Sequence, residues 1–127
     1  MYKELDVFNE LYLVDGDNHV YEGLEGIENL GTVARVIVFF TQEGLCNNLV
    51  KRYGKRFECI RVKPGNQAVD NRIKEEFGNR VKVRKRHQKI YIISHDNGYK
   101  KLIGKYQRRY NLSPKILSLR KAIKYCN

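Results

Sequence analysis

The 127-residue chain carries 25 Lys and Arg against 14 Asp and Glu, a formal net charge of +11, and its pI is near 9.7. This size suits one domain, residues 1–127, with a single core and little room for a second unit. No apolar run approaches the roughly 18 residues of a membrane span, and Met1-Tyr2-Lys3-Glu4 lacks a basic-then-apolar signal pattern, so a cytoplasmic protein with no membrane partner is expected.

The first element is the apolar run Leu11-Tyr12-Leu13-Val14, which stops abruptly in Asp15-Gly16-Asp17-Asn18. Short apolar runs bounded by turn residues suggest buried strands of a parallel sheet. Residues 21–30 carry Leu24, Ile27 and Leu30 at helical spacing, but Gly23 and Gly26 make that helix weak and short. Residues 33–40 are β-branched and aromatic, the strongest strand signal in the chain. Leu45, Leu49 and Tyr53 recur every four residues and predict a helix ending at Gly54. Residues 57–62 read as a third strand, and Lys63-Pro64-Gly65 as a turn.

Asn66 is placed to cap the next helix. Val69, Ile73, Phe77 and Val81 form one stripe across Gly78, so the helix is expected to run to about Val83. That continuation accepts about 1 kcal/mol for an interior glycine; a stop at Gly78 with an extended 81–83 is the alternative. A basic connection, Arg84-Lys85-Arg86-His87-Gln88-Lys89, leads to a fourth strand, Ile90-Tyr91-Ile92-Ile93, which ends in Ser94-His95-Asp96-Asn97-Gly98. Tyr99, Leu102, Ile103 and Tyr106 mark another helix. The amphipathic segment 113–125 reads as a helix with Pro114 at its first position, with a short strand at 116–119 as the alternative. The β-α alternation predicts a three-layer α/β/α, Rossmann-like fold around a mostly parallel sheet of about four or five strands. Cys46, Cys59 and Cys126 are odd in number and not spaced as zinc ligands, so reduced thiols are expected.

Ligands of open α/β sheets bind beyond the carboxyl ends of the strands. Asp15 and Asp17 follow the first strand, Asp70 lies one turn into the helix after the third, and Asp96 follows the fourth. Each has a plain structural explanation alone: an Asx turn at Asp15, a favourable helix-dipole position at Asp70, an N-cap at Asp96. If the first and fourth strands are neighbours, however, the acids converge and repel unless a cation lies among them. Oxygen donors alone suit a hard ion such as Mg²⁺ or Mn²⁺ rather than zinc. A pI above about 9 is the electrostatic footprint of a nucleic-acid binder. A basic surface with an acidic metal-binding notch suits a nuclease.

Three blocks carry a family resemblance: Leu13-Val14-Asp15-Gly16-Asp17-Asn18, Pro64-Gly65-Asn66-Gln67-Ala68-Val69-Asp70, and Ile92-Ile93-Ser94-His95-Asp96-Asn97-Gly98-Tyr99 followed by Leu102-Ile103. In order and separation, over about residues 10–106, they resemble the PIN-like nucleases, specifically the NYN branch and the bacterial PIN-like proteins near it. The resemblance implies a PIN-like fold and a Mg²⁺- or Mn²⁺-dependent endoribonuclease, in which a metal-activated water attacks an RNA phosphodiester and leaves a 5′-phosphate. It places Asp15, Asp70 and Asp96 on the family's catalytic, metal-holding positions, with Asn18 beside them. Asp17 stands where the family usually has glutamate, and Asn71 where some members have a second aspartate. For the RNA, Lys63 and Arg72 flank Asp70, while Arg84, Lys85 and Arg86 and then Lys100 and Lys101 form the densest basic runs. Tyr99 is a candidate for base stacking or for core packing. Two other readings compete: a non-catalytic RNA-binding module of the same fold, and a haloacid-dehalogenase-type phosphatase with Asp15 as nucleophile. The segment 113–125 is a candidate contact for a homodimer.

Overall fold

A computed structural model describes residues 8–83, 85 and 88–110, excluding the side chains of 97 and 106–110. Arg84, Arg86, Cys126 and the expected amphipathic segment 113–125 therefore lie outside the described residues. Four strands, β1 (Glu10–Asp15), β2 (Ala34–Phe40), β3 (Glu58–Arg61) and β4 (Lys89–Ile93), form one sheet in the order β3-β2-β1-β4. Every pairing is parallel, and Leu13 stands between Ile37 and Ile92. The expected adjacency of the first and fourth strands is present. The helices are α1 (Val20–Gly23), α2 (Leu45–Tyr53), α3 (Ala68–Val83) and α4 (Lys100–Tyr110), with 3₁₀ turns at Ile27–Asn29 and Asn97–Tyr99.

Side chains alternate between the faces of a strand, and both faces of this sheet are apolar. On one side Tyr12, Val14, Val38, Phe40 and Ile93 pack with Leu24, Ile27, Leu45 and Leu49 of the α1–α2 layer. On the other side Leu11, Leu13, Ile37, Phe39, Ile90 and Ile92 meet Val69, Ile73, Phe77 and Val81 of α3, together with Tyr99 and Ile103. This arrangement is the three-layer α/β/α fold expected of the sequence.

The apolar stripe decides the length of α3. Gly78 is buried within a continuous 16-residue helix, because Phe77 and Val81 on either side of it face the sheet. Burial of two large side chains outweighs the roughly 1 kcal/mol propensity cost of an interior glycine. The start of α3 differs from expectation: the helix begins at Ala68, and the Asn71 amide donates to the Gln67 carbonyl at 2.9 Å. Gln67, at φ 53°, is thus the turning residue, and Asn66 belongs to the preceding turn. The weak helix expected at 21–30 is one turn, α1, followed by a 3₁₀ turn; Gly26 adopts φ 90° between them.

Candidate functional site

Strand alternation also places the polar residues. On the α3 side of the sheet the column Leu11-Leu13 continues into Asp15, Ile90-Ile92 into Ser94, and Ile37-Phe39 into Thr41. On the opposite side Tyr12-Val14 continues into Gly16 and Tyr91-Ile93 into His95. The acid-bearing edge is therefore the α3 side of the carboxyl ends. Gly16 is required there: a Cβ would stand 2.7 Å from the Phe39 carbonyl oxygen and 2.9 Å from Phe40 Cβ. The Gly16 amide donates to that same carbonyl at 2.7 Å, drawing the chain over β2 before it turns.

Asp15, only 6% exposed, is the innermost acid. Its Oδ1 accepts the Asp17 amide at 3.1 Å, and its Oδ2 accepts the Ser94 hydroxyl at 3.2 Å and the Tyr99 hydroxyl at 3.4 Å. Burial pushes its carboxyl above the ordinary value, and the Asp17 charge adds to this; the Asp17 amide and the Ser94 and Tyr99 hydroxyls pull in the other direction. Tyr99 is fully buried. Of its two expected roles, core packing holds and base stacking does not. Burial, reinforced by the carboxylates of Asp15, Asp70 and Asp96, pushes its phenol far up, so it remains a donor at every physiological pH.

The other carboxylates have different partners. Both oxygens of Asp17 accept from Thr41, Oδ1 from the amide at 3.0 Å and Oδ2 from the hydroxyl at 2.6 Å, fastening the β1 loop to the end of β2. Asp96 Oδ1 accepts the Gly98 amide at 2.9 Å and so caps the 3₁₀ turn, while the Asp96 amide donates to Ser94 Oγ at 3.0 Å. Asp70 Oδ2 is 2.9 Å from Lys74 Nζ, one turn further along α3. Asp70 Oδ1 is buried and has no hydrogen-bond partner.

Asp15, Asp17, Asn18, Thr41, Asp70 and Asp96 line a single cavity of about 320 Å³, together with Pro64, Gly65, Gln67, Ala68 and Val69. The three candidate metal-holding acids are thus brought together. Asn71, exposed on α3, does not line it. Among the described residues no three Asp, Glu, His or Cys side chains form a preassembled metal cluster. The donors nevertheless fit a hard cation: they are all oxygens, Asp15 is costly to ionise where it lies, and Asp70 presents a buried oxygen with no partner.

The basic candidates separate. Lys63 is exposed immediately before Pro64 of the cavity wall, and Lys100 and Lys101 are exposed at the start of α4. Arg72 is committed elsewhere: its guanidinium is 3.6 Å from Glu76 Oε1 and 5.8 Å from the Phe39 ring centre. Lys85 precedes β4 and therefore stands at the opposite end of the sheet from the acids. Sequence reasoning passed over Lys74, although its four-residue spacing from Asp70 was a readable signal. It also missed Thr41 as the partner of Asp17, which only the β1–β2 pairing reveals.

A Rossmann-like parallel sheet with aspartates gathered at its carboxyl edge defines the class of domain. The family model for the PIN domain matches residues 9–109, and the chain belongs to the PIN domain family. Its members are in general metal-dependent nucleases, which sets aside the phosphatase alternative. Among curated proteins none matches the chain.

Proposed function

We propose that the protein is a divalent-metal-dependent endoribonuclease of the NYN-like branch of bacterial PIN-like proteins. The observation that carries this reading is the convergence of Asp15, Asp70 and Asp96 on one cavity of a PIN domain. Those three residues would hold Mg²⁺ or Mn²⁺; when bound, the ion supplies an activated water and neutralises charge on the phosphoryl oxygen. The surrounding side chains do the positioning. Ser94 and Tyr99 fix the inner carboxylate, Asp17 ties its loop to Thr41, and Asn18 offers an amide to the substrate at the cavity wall. Lys63, Lys100 and Lys101, on the same edge of the sheet, draw the phosphate backbone toward the acids. Lys85, with its sequence neighbours Arg84 and Arg86, adds to the electrostatic attraction for the phosphate backbone. Direct attack by water leaves a 5′-phosphate product.

The half-buried free thiols Cys46 and Cys59 support a reducing compartment, the cytoplasm, and among the described residues no helix is long and apolar enough to cross a membrane. A homodimer through residues 113–125 belongs to the same proposal; a monomeric mass by light scattering would end it. The second reading, an RNA-binding module without turnover, is favoured by the Asp70–Lys74 pair, since an ammonium already neutralises that carboxylate.

One assay separates the two readings. Single-stranded and hairpin RNA are incubated with the protein in Mn²⁺, Mg²⁺ or chelator, with Asp96→Asn alongside. Cleavage that needs the metal and is lost in the variant is expected. Binding without cleavage selects the non-catalytic module, and equal cleavage by Asp96→Asn overturns the acid site.

A further inference from the structure

A second cavity, of about 420 Å³, opens beside the acidic one and is lined by Lys74, Gly98, Lys101, Leu102 and Lys105. Two elements contribute to the lining of both cavities. Asp70 and Lys74 lie one helical turn apart on α3, the first lining the acidic cavity and the second the basic one. The Asp96–Gly98 turn does the same in the loop after β4, with Asp96 on the acidic side and Gly98 on the basic side. A ligand in the second cavity therefore lies next to whatever the acids act upon.

The chemistry of the lining is specific. Leu102, partly buried against the α3-side core, is the apolar side chain of the lining, and the other side chains are three lysines. Lysine stems pack against flat apolar surfaces while their ammonium groups reach polar ones. Sites for small organic groups have this form, mostly apolar with a few placed charges. A flat base against an apolar side chain with a phosphate among ammonium groups satisfies both parts; an inorganic anion uses only the charges. Lys74 has a further property: it lines the second cavity, and its Nζ is 2.9 Å from Oδ2 of Asp70, which lines the first.

We infer that the Lys74–Lys101–Lys105 cavity is a nucleotide subsite for the RNA residue flanking the cleaved bond, its base against Leu102 and its phosphate held by the lysines. This inference rests on the nuclease reading for the word flanking, and on the cavity itself for the binding. Lys74 is a positioning residue that bridges Asp70 to the bound strand, so the acids and the substrate share one cation.

The test measures binding of the full chain to fluorescein-labelled single-stranded RNA by anisotropy in EDTA, over a range of salt. Lys101→Glu/Lys105→Glu is compared with Lys51→Glu/Lys55→Glu, a pair with the same change in net charge in the α2 region. The first pair is expected to lose about tenfold or more in affinity, and its salt slope to shrink by about 1.4, the release expected of two phosphate contacts on a single strand. The control pair should lose no more than about threefold. Equal losses in the two pairs overturn the subsite, as does a mononucleotide that competes with RNA equally well in wild type and in Lys101→Glu/Lys105→Glu. Because EDTA removes cleavage from the measurement, a selective loss of affinity combined with no Mn²⁺-dependent cleavage by wild type sinks the nuclease reading while supporting the cavity as an RNA subsite.

Discussion

The two sides of the sheet end differently. On the α3 side each apolar column stops at a polar residue, Asp15, Ser94 or Thr41, and Asp15 and Thr41 line one cavity with Asp70. On the α1 side the columns stop at Gly16 and His95, and the imidazole of His95 faces local partners, with Glu22 Oε2 3.1 Å from its Nε2 and the His19 ring centre 4.6 Å away. One residue along a strand moves a side chain from one environment to the other. Neighbours in sequence such as Ser94 and His95 therefore have unrelated roles, and the site is built from alternate positions.

The largest effect should come from removing the inner carboxylate. Asp15→Asn is expected to lower metal-dependent RNA cleavage by about 10²–10³-fold, the scale of deleting one preorganised electrostatic group. The same substitution should raise the melting temperature of the metal-free protein at neutral pH. The sign follows from burial: the raised carboxyl keeps its proton longer in the folded chain than in the unfolded one. Stability is therefore fully present below the unfolded value and is lost as pH rises through the folded value. A melting temperature that falls instead would mean that Asp15 is held by its hydrogen bonds more strongly than burial opposes it.

Gly16→Ala probes the boundary between the two sides. The added methyl meets backbone and Cβ atoms under 3 Å away, so chemical denaturation should show a loss of about 1–3 kcal/mol. Thr41→Val removes the hydroxyl that Asp17 grips. A loss of roughly tenfold in cleavage with an unchanged fold is expected, the usual cost of losing an outer support; an unaltered rate would show that the loop needs no such anchor. Tyr99→Phe keeps the packed ring and removes one donor that lowers the Asp15 carboxyl. Metal binding competes with the proton on that group, so the pH midpoint of Mn²⁺ binding, followed by calorimetry, should move upward. His95→Ala, on the α1 side, should change cleavage less than about twofold, because its imidazole meets Glu22 and His19 rather than the acidic cavity. A tenfold loss there would erase the distinction between the sides.

Much of this arrangement is legible in the chain. Four apolar runs of strand length, each followed by turn residues, give the sheet, and its parallel order follows from the intervening helices. Asp15, Asp70 and Asp96 are readable because parallel sheets gather ligand-binding residues at one edge. Hydrogen-bond partners are less readable. Gln67 carries the backbone turn at φ 53° although Asn66 has the better capping chemistry, since the entry angle of α3 is set by packing Val69 and Ile73 on the sheet. Arg72 follows Glu76 and the Phe39 ring rather than the acidic cavity because its position on the helix points it there. The run around Lys85 is dense in sequence, but the course of the chain puts Lys85 before β4, away from the acids. Charge density along a sequence reports attraction, and only topology reports where that attraction acts.

The Asp70–Lys74 pair has a consequence for assembly. Many small metal-binding domains stay unfolded until their metal arrives. Here an ammonium group one helical turn away reaches its carboxylate as soon as α3 forms. The Asp70 carboxylate thus has a counter-ion from its own helix in place before any metal binds.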